Sequence, residues 1–250
     1  MIFKTIKEFI KKIPFFYQLY LDIYKYYFIR KEGESLCENL AATTSLDTKV
    51  EVLLNNKYFH SSQKKNEILR FLSLASNLNP RIICEIGTRK GGTLILLSRV
   101  AASDATLISI DLKYPYVRFP DILKRMILPN QKLICIEKSS TDPKTEKFVG
   151  KLLGDKKIDL LFIDGDHSYN GVSNDYKRFK KYVNPEGVIA FHDIHPDSFS
   201  LFGLKTETYV GDVPRFWNEI INVEKMEFIE DKKQDGCGIG VLTLSKDIKW

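Results

Sequence analysis

The sequence predicts an α/β fold: a doubly wound, mostly parallel sheet of seven strands whose last strand runs antiparallel, with a helical arm at the amino terminus. Three observations lead there. From residue 81 onward, short and almost continuously apolar runs alternate with helix-length segments, the pattern of a parallel sheet covered on both faces. The last two apolar runs, Met226–Ile229 and Gly238–Leu244, have no helix-length segment between them and are read as an antiparallel pair. Five consecutive strands end in polar, chemically competent residues, and open α/β sheets bind ligands at their strands' carboxyl ends.

In chain order, the stretch up to Lys31 is crowded with aromatic and basic residues. Ile6, Phe9, Ile10 and Ile13 recur at helical spacing, Lys4, Lys7 and Lys11 take the other face, and Pro14 breaks or kinks the pattern. Two readings stay open for residues 1–31: an amphipathic helix on an anionic membrane surface, or an arm packed on its own domain or on a second subunit. Residues 1–60 are taken as this arm and 61–250 as the ligand-binding domain. Residues 36–60 carry little signal. A helix follows from Gln63 to Leu78, with Ile68, Leu69, Leu72 and Ala75 on one face, ending before Asn79-Pro80. Strands are then expected at 81–86, 106–111, 132–137, 158–164 and 187–193. Helices are expected at Gly91–Ala102, near 118–127, at 143–153, Val172–Tyr182 and Val213–Ile221.

Composition sets outer bounds. In 250 residues, 44% hydrophobic and 28% charged, there is material for one substantial core and no sign of disorder or collagen-like repeats. The net charge of +6 is spread out apart from a basic cluster in the first dozen residues, so a nucleic-acid partner is not expected. Cys37, Cys84, Cys135 and Cys237 form no paired motif, which disfavours a disulfide framework or structural zinc site and suits a reducing cytoplasm. No run has the length of a membrane-spanning helix, and no signal peptide is expected.

The strand ends carry the chemistry. The first runs into Glu85-Ile-Gly87 and on to Gly91-Gly92-Thr93, a turn that lets backbone approach a ligand and opens a helix with free N–H groups. The second ends at Asp111, a carboxylate able to accept from both ribose hydroxyls. The third reaches Ser139 and Ser140, the fourth Asp164-Gly-Asp166-His167, the fifth His192-Asp193. Turn chemistry explains any one of these ends, but explains all five poorly. Gly87 and Gly91 are separated by three residues, with an acid before Gly87, a departure from the nicotinamide fingerprint that favours S-adenosylmethionine.

The segments CEIGTRKGGTLILLSRVA, LISIDL, DLLFIDGDHSYNGVSNDYKRFKKYVNPEGVIAFHDI, GDVPRFWNEI and DGCGIGVL resemble class I S-adenosylmethionine-dependent methyltransferases. The branch is that of macrolide-sugar and rhamnosyl O-methyltransferases, relatives of catechol O-methyltransferase, and cephalosporin-hydroxylase-like proteins. The resemblance covers about residues 60–245 and implies a Rossmann-like sheet of seven strands with the last antiparallel. It implies that Glu85, Gly87 and Gly91 line the methionine end of the cofactor, that Asp111 holds the ribose, and that Ser139 or Ser140 lies near the adenine. It further implies a divalent metal, magnesium or manganese, on Asp164, His192 and Asp193, with His167 as the base beside Asp164. One position departs from the family: His192 stands where a carboxylate is usual, which either weakens magnesium binding or points to a softer metal such as manganese, iron or zinc. Asp166 is either a second partner or a loop acid, while His60 and His195 are read as incidental. Tyr114, Tyr116 and Arg118 belong to a substrate or lid loop, or equally to packing. The implied activity is methylation of a small-molecule hydroxyl, a sugar among the candidates. Two alternatives stand beside it: a metal-independent methyltransferase with a histidine base, and a cofactor-binding scaffold recruited through the arm.

Overall fold

The computed structural model describes residues 14–206 and 208–244. The helical pattern over Ile6–Ile13 and its lysine face lie outside the described residues. Helix α1 spans Pro14–Ala42 and α2 Leu46–Leu54; α3, Lys65–Leu78, leads into the sheet domain. There follow β1 (Ile82–Ile86), α4 (Gly92–Val100), β2 (Thr106–Asp111), α5 (Phe119–Met126), β3 (Lys132–Glu137) and α6 (Pro143–Leu153). Then come β4 (Ile158–Ile163), α7 (Tyr169–Phe179), a 3-10 turn (Lys180–Tyr182), β5 (Val183–His192), α8 (Ser198–Phe202), α9 (Val213–Glu219), β6 (Glu224–Phe228) and β7 (Ile239–Thr243).

The seven strands form one sheet in the order β3-β2-β1-β4-β5-β7-β6. The pairs β3–β2, β2–β1, β1–β4 and β4–β5 are parallel, and β7 runs antiparallel to both β5 and β6. The order reverses at β1 and β4, whose diverging connections open a crevice at their carboxyl ends. Strand pleat splits the core in two. Ile83, Leu107, Leu133 and Phe162 face α1 to α5, whereas Cys84, Ile108, Leu161 and Phe191 face α6, α7 and α9.

Residues 36–60, silent in the sequence, are the end of α1, helix α2 and a loop. Helix α2 buries only Val50 and Leu53, too few apolar positions in nine residues to show a period. Helix α1 lies against α5, burying Ile29, Leu36 and Leu40. The approach is close because Gly33 has no side chain: a Cβ there would already stand 3.2 Å from the Phe59 ring and 3.3 Å from Ile122. The described part of the arm therefore packs on its own domain. Its first turns still expose Leu19, Ile23, Tyr24 and Tyr27.

Candidate active site

A cavity of about 940 Å³ opens over the carboxyl ends of β1, β2, β4 and β5, and each strand end contributes to its wall. Gly87 sits at φ 88°, and a Cβ there would collide with the Asp164 backbone carbonyl, so only glycine lets β1 and β4 stay this close at the crevice. Two backbone hydrogen bonds fix that junction, Gly87 N–H to the Ile110 carbonyl and Asp164 N–H to the Ile86 carbonyl, each 2.8 Å. At the start of α4, Gly92 packs directly beneath the His60–Ser61 backbone. That contact brings a loop from outside the sheet domain over the cavity, and His60, Ser62, Gln63 and Lys64 line it.

At one end lies Asp111. Its carboxylate accepts from the backbone N–H groups of Arg89 (2.7 Å) and Lys113 (2.9 Å), which fix its orientation while leaving lone pairs on both oxygens. Ser139, Ser140 and Thr141 line the same end. Ser139 and Thr141 share a hydroxyl contact of 2.8 Å. Ser140 lies beside the buried Asp175 carboxyl, which burial pushes up to about 6.

At the other end is a cluster of two acids and two histidines. His192 Nδ1 stands 3.2 Å from Asp164 Oδ1 and 3.3 Å from Asp193 Oδ2. His167 reaches the same oxygens at 3.5 Å each, with Nε2 toward Asp164 and Nδ1 toward Asp193. His167 Nδ1 is also 2.9 Å from the Tyr209 carbonyl. Asp193 holds its place with φ 61°, a left-handed conformation uncommon for a residue with a side chain. Burial alone would favour neutral acids and neutral imidazoles. The mutual charges and hydrogen bonds overcome it, holding Asp164 below the usual carboxylate range, raising His167 to about 9 and raising His192 well above its ordinary value.

Gln63 ties the loop to this cluster. Its amide donates to Asp164 Oδ2 at 3.2 Å, and its own carbonyl oxygen, buried on the cavity wall, has no partner among the described residues. Glu85 is placed differently from the expectation that it lines the methionine end. It is buried behind the wall, on the face of β1 that also carries Ile83, and does not itself line the cavity. Alternation along the strand turns its side chain away, and one carboxylate oxygen is left without a partner. Gly91 likewise lies off the wall; at φ 74° it caps α4 and packs against Leu123. Gly87, Asp111, Ser139, Ser140, Asp164, His167, His192 and Asp193 do line the cavity.

Asp166 also lines the cavity and accepts the Ser168 N–H. His60, read as incidental, is on the wall. His195 is not: its ring nitrogens meet the carbonyls of Pro196 and Lys232. Tyr114, Tyr116 and Arg118 serve packing. Tyr114 is buried on Ser109, Tyr116 stands edge-on to Phe119, and Arg118 covers the Tyr26 ring. Sequence reasoning missed Gln63, Thr208, Tyr209 and Cys237, all wall residues carried by loops. Only Cys237 had a local signal, the glycines on either side of it.

Comparison with known proteins places this geometry. Residues 84–194 match a family model described as a methyltransferase domain. A 36-residue segment, 14% of this chain, is 58% identical to 16% of an uncharacterized protein, R132, of Acanthamoeba polyphaga mimivirus. The matches to the two curated relatives span only 16% and 14% of those proteins' lengths. Among solved structures, the Bacillus cereus O-methyltransferase in complex with SAH superposes with a TM-score of 0.55 at 17% identity, over 84% of this chain and 90% of that one. The O-methyltransferase TomG from Streptomyces achromogenes, involved in tomaymycin synthesis and solved with SAM, gives 0.54 at 16% identity, over 80% and 91%. At that identity the likeness is one of fold. Sheet order and the superposed structures agree that the chain has the Rossmann-like fold of these O-methyltransferases, and residues 84–194 match the methyltransferase-domain family.

Proposed function

We propose that this protein transfers a methyl group from S-adenosylmethionine to a hydroxyl oxygen of a small molecule, a sugar hydroxyl among the candidates. One observation carries the reading: a single cavity joins a backbone-oriented carboxylate, Asp111, at one end to a buried acid–histidine cluster at the other. Its volume of about 940 Å³ lies at the upper end for small-molecule sites and accommodates a nucleoside cofactor with an acceptor beside it. The chain's own groups fit the cofactor. Asp111 accepts from the ribose hydroxyls and Ser139 or Ser140 stands at the adenine. The unpartnered oxygen of Gln63 on the wall matches a donor such as the methionine ammonium, and the Glu85 carboxyl behind the wall favours its positive charge.

The sulfonium supplies an already activated methyl, so the protein's work is alignment and deprotonation. Asp164 and Asp193 orient the His167 ring from two sides, and His167 accepts the proton of the attacking hydroxyl. The cluster also fits a divalent cation, since His192 Nδ1 stands 3.2 Å from Asp164 Oδ1 and 3.3 Å from Asp193 Oδ2. Asp164, His192 and Asp193 would hold it. When bound, such an ion lowers the pKa of a coordinated hydroxyl by several units. A metal-independent version draws support from His192, whose raised pKa places a positive charge between the two carboxylates.

Calorimetric titration with S-adenosylhomocysteine, with and without divalent ions, tests the proposal. Binding in the micromolar range, lost on Asp111→Ala and absent for NAD, is expected. Unchanged affinity in that variant overturns the assignment.

A further inference from the structure

The first half of α1 carries more apolar surface than its own domain covers. Ile29, Leu36 and Leu40 are buried on the domain, but Leu19, Ile23, Tyr24, Tyr27 and Phe28 stay between 41% and 63% exposed. Leu19, Ile23 and Tyr27 follow at four-residue steps with Tyr24 and Phe28 beside them, so they form one stripe along the helix. Apolar side chains exposed singly are ordinary; a contiguous stripe marks a surface that meets something. None of its members lines the cavity, so the methyl-transfer site does not account for it.

Positive charge lies along the stripe. Residues 1–31 hold seven lysines and arginines against two acids, and one of those acids, Asp22, accepts from the Gln18 amide at 2.9 Å. Folding adds cations from elsewhere in the chain. Helix α5, packed on α1, carries exposed Lys124 and Arg125, and the Arg125 carbonyl is the acceptor of the Cys37 thiol. Arg118, just before α5, covers the Tyr26 ring at 5.0 Å.

Tyrosines and aliphatics edged by cations suit the boundary of an anionic bilayer, where aromatic rings sit at headgroup level and cations meet lipid phosphates. A second copy suits them less well. In a two-fold contact the surface meets itself, and its cations would face their own kind. No helix among the described residues is long and apolar enough to cross a membrane, so contact would be with the surface of the bilayer. We propose that the first half of α1, with the basic segment before it, is an interfacial anchor for anionic lipid, its Leu19, Ile23, Tyr24 and Tyr27 entering the headgroup boundary. The two readings of the arm then divide along one helix: its second half packs on the domain and its first half on lipid. This does not depend on the methyl-transfer reading.

Co-sedimentation of the full-length protein with vesicles of phosphatidylcholine, with and without phosphatidylserine, tests it. Binding to the anionic vesicles should exceed binding to the neutral ones by about tenfold or more, and should fall by a similar factor between about 0.05 and 0.5 M salt. Ile23→Ser combined with Tyr27→Ser, both at exposed positions, should cost about tenfold in vesicle binding and leave S-adenosylhomocysteine affinity unchanged, which also shows the variant folded. Insertion is read separately in Tyr24→Trp: its added emission over wild type should shift to the blue on anionic vesicles and be quenched by brominated lipid. Equal binding to the two vesicles, no binding to either, binding unmoved by the serine pair, or unquenched emission overturns the proposal. So does a dimer in solution that the serine pair dissolves, which makes the stripe a contact between copies.

Discussion

Glu85→Gln separates what the fold requires from what the ligand requires. Glu85 is 1% exposed, one of its oxygens is unpartnered, and burial foremost pushes its carboxyl from the ordinary 4.5 up to about 8. Nearby Asp164 and Asp111 push the same way, against a Thr88 hydrogen bond. In the unfolded chain the group ionises at its ordinary value. Between pH 4.5 and 8 the unfolded state therefore releases this proton while the folded state keeps it, and folding stability falls as pH rises through that window. The gap of about 3.5 pH units (8 − 4.5) sets a ceiling of about 5 kcal/mol. Glutamine keeps the shape and removes the ionisation. With allowance for relaxation around the site, Glu85→Gln should stabilise the ligand-free protein by about 2–4 kcal/mol at pH 8. At about 2–4 °C per kcal/mol, that is a Tm rise of roughly 5–15 °C. At pH 4.5 the two proteins should melt together. The same variant should bind S-adenosylhomocysteine up to about 10-fold more weakly, because the ammonium loses the field of a carboxyl that lies behind the wall and does not touch it. Thermal unfolding at pH 4.5, 6.5 and 8 decides it. A variant no more stable than wild type at pH 8, or a Tm gap that does not widen with pH, refutes the reasoning.

His167, raised to about 9 by Asp164 and Asp193, must shed its proton before it can act as a base, so activity in chelated protein should rise with pH to about 9. A cation on the two carboxylates offsets their pull, and pH–rate profiles should show the acid limb moving lower when metal is added; an unmoved limb counts against His167 as base. His167→Ala should cost about 10²–10⁴-fold in rate without releasing the ion. If the exposed apolar face of Leu19, Ile23, Tyr24 and Tyr27 continues the lysine-bearing segment onto membranes, binding to anionic vesicles should weaken steeply with salt. Deleting residues 1–24 should then abolish vesicle binding and leave cofactor affinity intact; retained binding assigns the attachment elsewhere.

Legibility in the sequence followed the physics of each element. Strands β2 and β3 and helix α6 fall on their expected bounds, because apolar runs between polar turns leave little freedom in where they begin and end. The polar strand ends were visible for the same reason, and those at β2, β3, β4 and β5 reach the wall. Glu85 was read at the right strand end but on the wrong side of it. Pleat, which depends on register with Ser109 and Phe162, turned it under the wall. The His60–Lys64 wall was illegible, because it exists only where Gly92 lets a distant loop lie across α4. Gln63 and Tyr209 have no periodic neighbours, and their roles come from tertiary placement alone. The long reach of α1 onto α5 was hidden by aromatics on all of its faces and by Gly33, which reads locally as a helix breaker.

The two ends of the cavity are built on opposite terms, and the difference predicts where binding energy resides. At the Asp111 end the wall groups are tied to one another: Asp111 holds two backbone N–H groups, and Ser139 and Thr141 pair, while the bare Asp175 carboxyl lies off the wall behind Ser140. At the acid–histidine end two buried wall atoms have no partner among the described residues, Gln63 Oε1 and His192 Nε2, and Glu85 Oε2 is bare behind the wall. A ligand that reaches only the first end replaces water and little else. One that extends a positively charged ammonium into the second end supplies a donor for the bare Gln63 oxygen, and its charge should pull the Glu85 carboxyl behind the wall back toward ionisation. Adenosine should therefore bind weakly and leave the fall in Tm between pH 4.5 and 8 in place, whereas saturating S-adenosylhomocysteine should flatten it. Melting curves across that range with each ligand make the comparison. If adenosine flattens the profile as much as S-adenosylhomocysteine does, the ammonium does not bind at the bare Gln63 oxygen in front of Glu85.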